Sequence, residues 1–211
     1  MEQFQFRCRA VGVEHRCAYG KEAEPTHSPE LSSCVADTIK ATEEMEFDGT
    51  IKSSANNYQV SLDFDDTWVK RMTGTTAWQD KPLAVPADLL EIPGIQPDCL
   101  LAKNGTTVVV EIEKANKKTI WFDIIKILML IGEQAASAGL LLVPRNYAHR
   151  RGEWNLFNDA RFYRSCLIRF AKVNPELLSK LAIVGYTQEV LINGNWARLD
   201  KAVLSDIKER Y

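Results

Sequence analysis

The residues able to do chemistry gather in one stretch. Pro97-Asp98-Cys99-Leu100-Leu101 is followed, across Asn104-Gly105, by Thr107-Val108-Val109-Val110-Glu111-Ile112-Glu113-Lys114. The β-branched run reads as a central strand. Side chains alternate across a strand, so Glu111 and Glu113 share one face and Ile112 takes the other. Asn-Gly is a strong hairpin signal. It predicts that 98–101 and 106–112 pair antiparallel, which returns Asp98 to the strand end that carries the glutamates. Three carboxylates in one place repel one another unless protons or a cation share the space, and a hard divalent ion such as Mg²⁺ suits an all-oxygen set. An isolated Glu-x-Glu is more often the solvated face of an ordinary strand, so the flanking segments must carry the assignment.

Taken together, the Pro-Asp, the hairpin, the apolar strand, the Glu-x-Glu and the basic turn into an apolar helix resemble the PD-(D/E)xK nuclease superfamily. The Glu-x-Glu form, which lacks the lysine, resembles its BamHI/BglII-like type II restriction endonucleases. Roughly residues 78–187 are covered. The resemblance implies an α/β fold with a central mixed sheet flanked by helices, and Mg²⁺-dependent hydrolysis of double-stranded DNA at a palindromic site. Asp98 and Glu111 become metal ligands. Glu113, where the superfamily has lysine, becomes a general base or a further ligand. Trp78-Gln79-Asp80-Lys81-Pro82-Leu83 is similar to a segment carrying another acidic ligand, which would be Asp80, with Glu91 or Glu44 as alternatives. Lys114 follows Glu113 but points to the other face. Another nuclease of this fold, such as a repair or structure-specific enzyme, shares the carboxylates, and so does a non-catalytic DNA-binding protein.

The elements around this centre follow from periodicity. A helix is predicted from about 118 to 137. Ile120, Ile124, Ile127 and Ile131 form one stripe, and Trp121, Ile125 and Leu128 a second beside it. So broad an apolar face predicts that part of it packs on a partner helix, the alternative being a core helix within a monomer. Glu113-Lys114-Ala115-Asn116 is similar to the acid-x-x-Asn run that opens the family's dimer helix, so the resemblance implies a homodimer through 118–137. Asn116, Lys117 and Lys118 are assigned to DNA contact. Ala138 to Pro144 is the next strand. The loop beyond it, with Arg145, His149, Arg150 and Arg151, is basic enough to read guanine edges or to grip phosphates.

The whole chain has 211 residues, is 45% hydrophobic and carries a formal charge of −2, which fits one α/β domain and gives no global positive field. Its core is expected over 33–211, behind an irregular N-terminal arm over 1–32. Five cysteines, an odd number in irregular spacing, suit free thiols in the cytoplasm. Cys8, His15, Cys17, His27 and Cys34 lie close in sequence but contain no Cys-x-x-Cys pair, so they read as scattered rather than as a zinc site. No leader or membrane-spanning run opens the chain. Elsewhere the pattern predicts a helix from Ser32 or Ser33 to about Glu46, and a strand from Tyr58 to Phe64. A short helix from Asp65 or Asp66 should stop at Gly74. Further on come helices over 159–172 and 177–181, a strand over 181–185, a hairpin at Asn193-Gly194 and a C-terminal helix.

Overall fold

The predicted hairpin forms. In a computed structural model, which describes residues 3–13, 29–53, 58–82, 85–114, 116–149 and 152–210, β5 (Cys99–Lys103) pairs antiparallel with β6 (Thr106–Ile112). Asn104 and Gly105 take the turn at φ 51° and 81°, the left-handed pair that a tight two-residue hairpin requires. Beyond β6 the sheet becomes parallel. β7 (Ala138–Pro144) lies beside β6, and β10 (Leu181–Ile192) beside β7. Parallel neighbours need crossovers. Helix α3 (Ile120–Gly132) joins β6 to β7, and α4 (Leu156–Arg169) with α5 (Pro175–Ser179) joins β7 to β10. β7 is buried along its whole length, as a strand covered on both faces must be.

Antiparallel strands complete both sides. β1 (Gln3–Val13) pairs with β10, β2 (Glu46–Ser53) with β1, and β3 (Tyr58–Leu62) with β2. β4 (Gln79–Lys81) closes the far edge on β5, and β11 (Asn195–Arg198) pairs with β10. The order is β3-β2-β1-β10-β7-β6-β5-β4. One face packs α1 (Pro29–Thr42), α2 (Phe64–Thr75) and α6 (Lys201–Arg210) on Phe6, Leu101, Val108, Val110 and Tyr186. The other packs α3, α4 and α5 on Val109, Leu141, Val143 and Ile183. This is the mixed α/β sheet flanked by helices that the sequence leads one to expect. Among the described residues no helix is long and apolar enough to cross a membrane.

Several expectations need correction. The N-terminal arm is not irregular over 3–13. Phe6 and Cys8 are fully buried, and β1 sits inside the sheet between β10 and β2. The alternation of polar and aromatic residues there is the period-two pattern of a strand with one face in a core. Of the early Cys/His group, His15, Cys17 and His27 lie outside the described residues. Cys8 and Cys34 are buried in the core, where desolvation raises both thiol pKa values, that of Cys34 to about 12, so both stay protonated. The third strand ends at Leu62, and Phe64 is instead the buried first residue of α2. Gly74 lies inside α2 rather than ending it. β10 runs on to Ile192, well past the expected 185, because it also carries β1 and β11.

The dimer stripe is the largest correction. Helix α3 is shorter than 118–137, and Ile120, Ile124 and Ile127 are fully buried within the single chain, with Ile131 nearly so. The helix lies so close on β7 that a Cβ on Gly139 would stand 2.0 Å from Ile127 Cγ2. These side chains therefore belong to the monomer's own core. Of the second stripe Leu128 is buried, while Trp121 is exposed and meets Tyr163 of α4 edge-on, with ring centroids 5.6 Å apart.

Candidate active site

The hairpin register decides what faces what. Cys99 pairs with Val110, so Asp98, one residue earlier, falls opposite Glu111 at the open end of β5–β6. Both residues lie out of phase with Cys99, Val110 and Ile112, whose side chains enter the α1/α2 core, and so they share the α3 face. Asp98 Oδ2 accepts the Ile112 backbone N–H at 2.6 Å, which ties the start of β5 to the end of β6. Glu111 is almost fully buried, and its Oε2 receives Lys126 Nζ of α3 at 2.7 Å. Lys126 also donates to the Gln96 carbonyl at 3.2 Å and stands 4.0 Å from Asp123 Oδ1, one turn earlier on the helix. The second Glu111 oxygen, Oε1, is buried and has no hydrogen-bond partner.

Electrostatics binds these groups into one cluster. Burial pushes the Glu111 pKa up to about 8, with the Asp98 and Asp123 charges adding to the rise and Lys126 opposing it. Burial also pushes Asp123 up to about 7, helped by Glu113 and Asp98 and again opposed by Lys126. Near neutral pH the cluster therefore keeps protons that exposed carboxylates would have lost.

The predicted residues divide. Asp98 and Glu111 are brought together at one strand end, where the Asp98 charge acts on Glu111. Glu113 lies just past β6, with Oε1 accepting the Asn116 N–H at 2.7 Å and Oε2 accepting the Thr119 hydroxyl. Both of its oxygens thus shape the turn that leads into α3. Asp80 sits exposed on the edge strand β4, opposite Leu101, and is not among the charges acting on Glu111 or Asp123. Of its alternatives, Glu44 pairs with Arg9 and Glu91 is exposed in the segment before β5. The fourth acid beside Glu111 is Asp123. Lys114 faces the other side, as expected, and pairs there with Asp65 of α2.

Asp123 and Lys126 are the residues that sequence reasoning missed. Their signal is two charges three apart inside the otherwise apolar Ile120-Trp121-Phe122-Asp123-Ile124-Ile125-Lys126-Ile127-Leu128 run, both on the buried side. A charge on the buried face of a helix needs a partner, and the nearest unclaimed ones were the strand carboxylates.

Among the described residues no group of three Asp, Glu, His or Cys side chains is gathered closely enough to hold a metal ion as it stands. The donor set still fits a hard cation. It is all oxygen, Glu111 Oε1 is without a partner, and Asp98 stands opposite Glu111 on the neighbouring strand. Of the residues assigned to DNA, Asn116, Lys117 and Lys118 are exposed at the mouth of this end, and Lys117 reaches Asp159 of α4 at 2.8 Å. The predicted basic loop is a small hairpin, β8 (Tyr147–His149) with β9 (Gly152–Trp154). Arg150, Arg151 and the His149 side chain lie outside the described residues. Arg145 does not project from it, but folds over the Phe157 ring at 4.6 Å.

No protein-family model matches the chain, and no curated protein sequence does. Among solved structures the chain is similar to Pyrococcus furiosus SfsA in complex with Ca²⁺, at 8% identity over 87% of each chain and a TM-score of 0.38.

Proposed function

We propose that the chain is a Mg²⁺-dependent endonuclease that hydrolyses phosphodiester bonds in double-stranded DNA, with Asp98 and Glu111 as the ion's protein ligands. One observation carries the reading: a buried glutamate, paired to a buried lysine on one oxygen and bare on the other, stands opposite an aspartate on the adjacent strand. The bound ion would polarise the scissile phosphate and lower the pKa of an attacking water. The chain's own groups do the rest. Lys126 fixes Glu111 Oε2 and brings the positive charge that the Glu-x-Glu strand lacks, so the lysine of the site comes from the helix. Glu113 holds the turn that aims α3 and its two charged residues at the strands. Asp123, with its pKa near 7, can hold or release a proton in the working range. Cutting both strands of a palindrome needs two copies. With the isoleucine stripe used inside the monomer, their contact would fall to the exposed Trp121 and Phe162.

Digestion of plasmid DNA with Mg²⁺ tests this. Discrete fragments are expected from the wild type, and Asp98→Asn and Glu111→Gln should each lower cleavage by several orders of magnitude while circular dichroism stays native. Smeared products would indicate a nuclease without sequence preference. Intact plasmid across divalent ions would leave a non-catalytic binding protein.

A further inference from the structure

Beside the acidic cluster lies a notch that the cluster does not explain. Gly12 of β1 and Gly185 of β10 are register partners, so two facing positions lack side chains at one point of the sheet. The Arg145 guanidinium fills the gap at Gly12 and shares it with the Phe157 ring at Gly185. A Cβ on Gly12 would stand 2.3 Å from one terminal nitrogen of Arg145, and a Cβ on Gly185 would stand 2.9 Å from its Nε. The backbone holds this residue firmly, since Arg145 N–H donates to the Tyr186 carbonyl at 2.7 Å. The neighbouring Asn146 is clamped to Gln188 and Leu199 by three hydrogen bonds.

The guanidinium's own needs are unmet. Its Nε is buried without an acceptor, and among the described residues no carboxylate pairs with it. Its neighbour is a second cation. Arg161 of α4 lies by the same Phe157 ring, at 5.8 Å from its centroid, and its charge adds to burial in lowering the Arg145 pKa. Two guanidinium groups held together, one short of an acceptor, form a place that an oxyanion would complete. The place is near the reaction centre. Glu113 N–H bonds to Leu142 of β7, three residues before Arg145, and the Glu113 charge reaches Tyr147, two residues after it.

We propose that Arg145 and Arg161 form a phosphate subsite that grips a backbone phosphate of the nucleic acid adjacent to the one hydrolysed. The assignment of that phosphate to a nucleic acid rests on the proposed nuclease function. The existence of the subsite does not. Arg145 is thereby a phosphate-holding residue rather than a reader of guanine edges, because a guanidinium packed between two strands and a phenyl ring cannot reach into a major groove.

The test reads the side chain itself, without metal. In protein labelled with ¹⁵N-arginine, the Arg145 Nε–Hε resonance, assigned by its loss in Arg145→Gln, should shift saturably with inorganic phosphate but not with chloride. Arg161→Gln should weaken that binding roughly tenfold, the loss of one charge-assisted contact. Gly12→Ala keeps every arginine, meets only the movable end of Arg145, and should weaken binding by a similar factor. A linear, unsaturated drift, or saturation unchanged in both variants, overturns the subsite. A short DNA duplex should move the same resonance and be competed by phosphate. A duplex that binds without moving it overturns the substrate assignment. Saturable phosphate binding in a protein that never cuts DNA would keep the subsite and remove the nuclease reading, whereas intact cleavage with a silent Arg145 would do the reverse.

Discussion

The two ends of the β5–β6 hairpin each hold a lysine–carboxylate pair, and they are built to different ends. At the turn, Lys103 Nζ meets Asp37 Oδ2 of α1 at 2.8 Å, and Trp78 Nε1 donates to the same oxygen at 2.9 Å. Both charged side chains keep over a fifth of their surface in water. At the open end, Lys126 meets Glu111 at a similar distance, but only 7% and 4% of the two side chains are exposed, and one glutamate oxygen has nothing to accept. The first pair has the form of a fastening, where geometry is satisfied and water screens the charge. The second retains an unmet demand in a low-dielectric place, which is costly for stability and useful for chemistry.

Removing the lysine from each pair is the sharpest way to break this contrast. Lys126→Met leaves Glu111 buried without its cation and should cost about 3–5 kcal/mol in urea denaturation above pH 8, where Glu111 is ionised. The double variant Lys126→Met/Glu111→Leu should recover most of that stability, because two matched apolar side chains replace a desolvated pair. A single variant as stable as wild type would mean that water reaches the pair, and the site would then be no more specialised than the turn.

This contrast also shows what the sequence could and could not reveal. The Asn104-Gly105 turn and the β-branched run after it placed Asp98 opposite Glu111, because hairpin register is a local matter set by turn length. Lys126 and Asp123 were visible only as interruptions of an apolar helix. Which strand residue they meet depends on how α3 crosses back over the sheet, and no local pattern encodes that. The isoleucine stripe misled for the same reason: periodicity tells that a face is buried but not by whom, and here β6, β7 and α4 bury it. β1 shows the alternation of a strand, but that it is inserted between β2 and β10, the latter more than 170 residues away along the chain, is nothing a local pattern encodes.

The pH dependence of stability should differ between the two ends as well. Glu111 titrates near 4.5 when unfolded and near 8 when folded, and Asp123 near 3.8 and 7. Over those intervals the folded state keeps protons that the unfolded state has released. Their contribution is therefore complete below about pH 4 and is lost as pH rises through 7 to 8. In the presence of a chelator, thermal unfolding should move to lower temperature between pH 5 and pH 9, by on the order of a few kcal/mol of stability. Glu111→Gln should flatten that slope. Added Mg²⁺ should restore stability chiefly at the alkaline end, where its ligands are ionised and no proton has to leave. A slope that survives Glu111→Gln unchanged would assign the protons elsewhere.

The smallest effect is expected at the turn. Lys103→Ala removes a half-screened ion pair and a cation 5.5 Å above the Trp78 ring, but Asp37 keeps the indole N–H and access to water. Exposed pairs contribute ~0–1 kcal/mol and such a cation–π contact a similar amount, so a total near 1 kcal/mol is expected, a shift of ~2–4 °C in a chain of this size. Because Asp37 is left solvated rather than stranded, adding Asp37→Asn should cost little more, with none of the rescue expected at Glu111. Measured side by side, the two lysine deletions should differ by at least ~2 kcal/mol. Equal losses would show that burial does not separate the pairs, and the open end of the hairpin would lose its claim to be the reactive one.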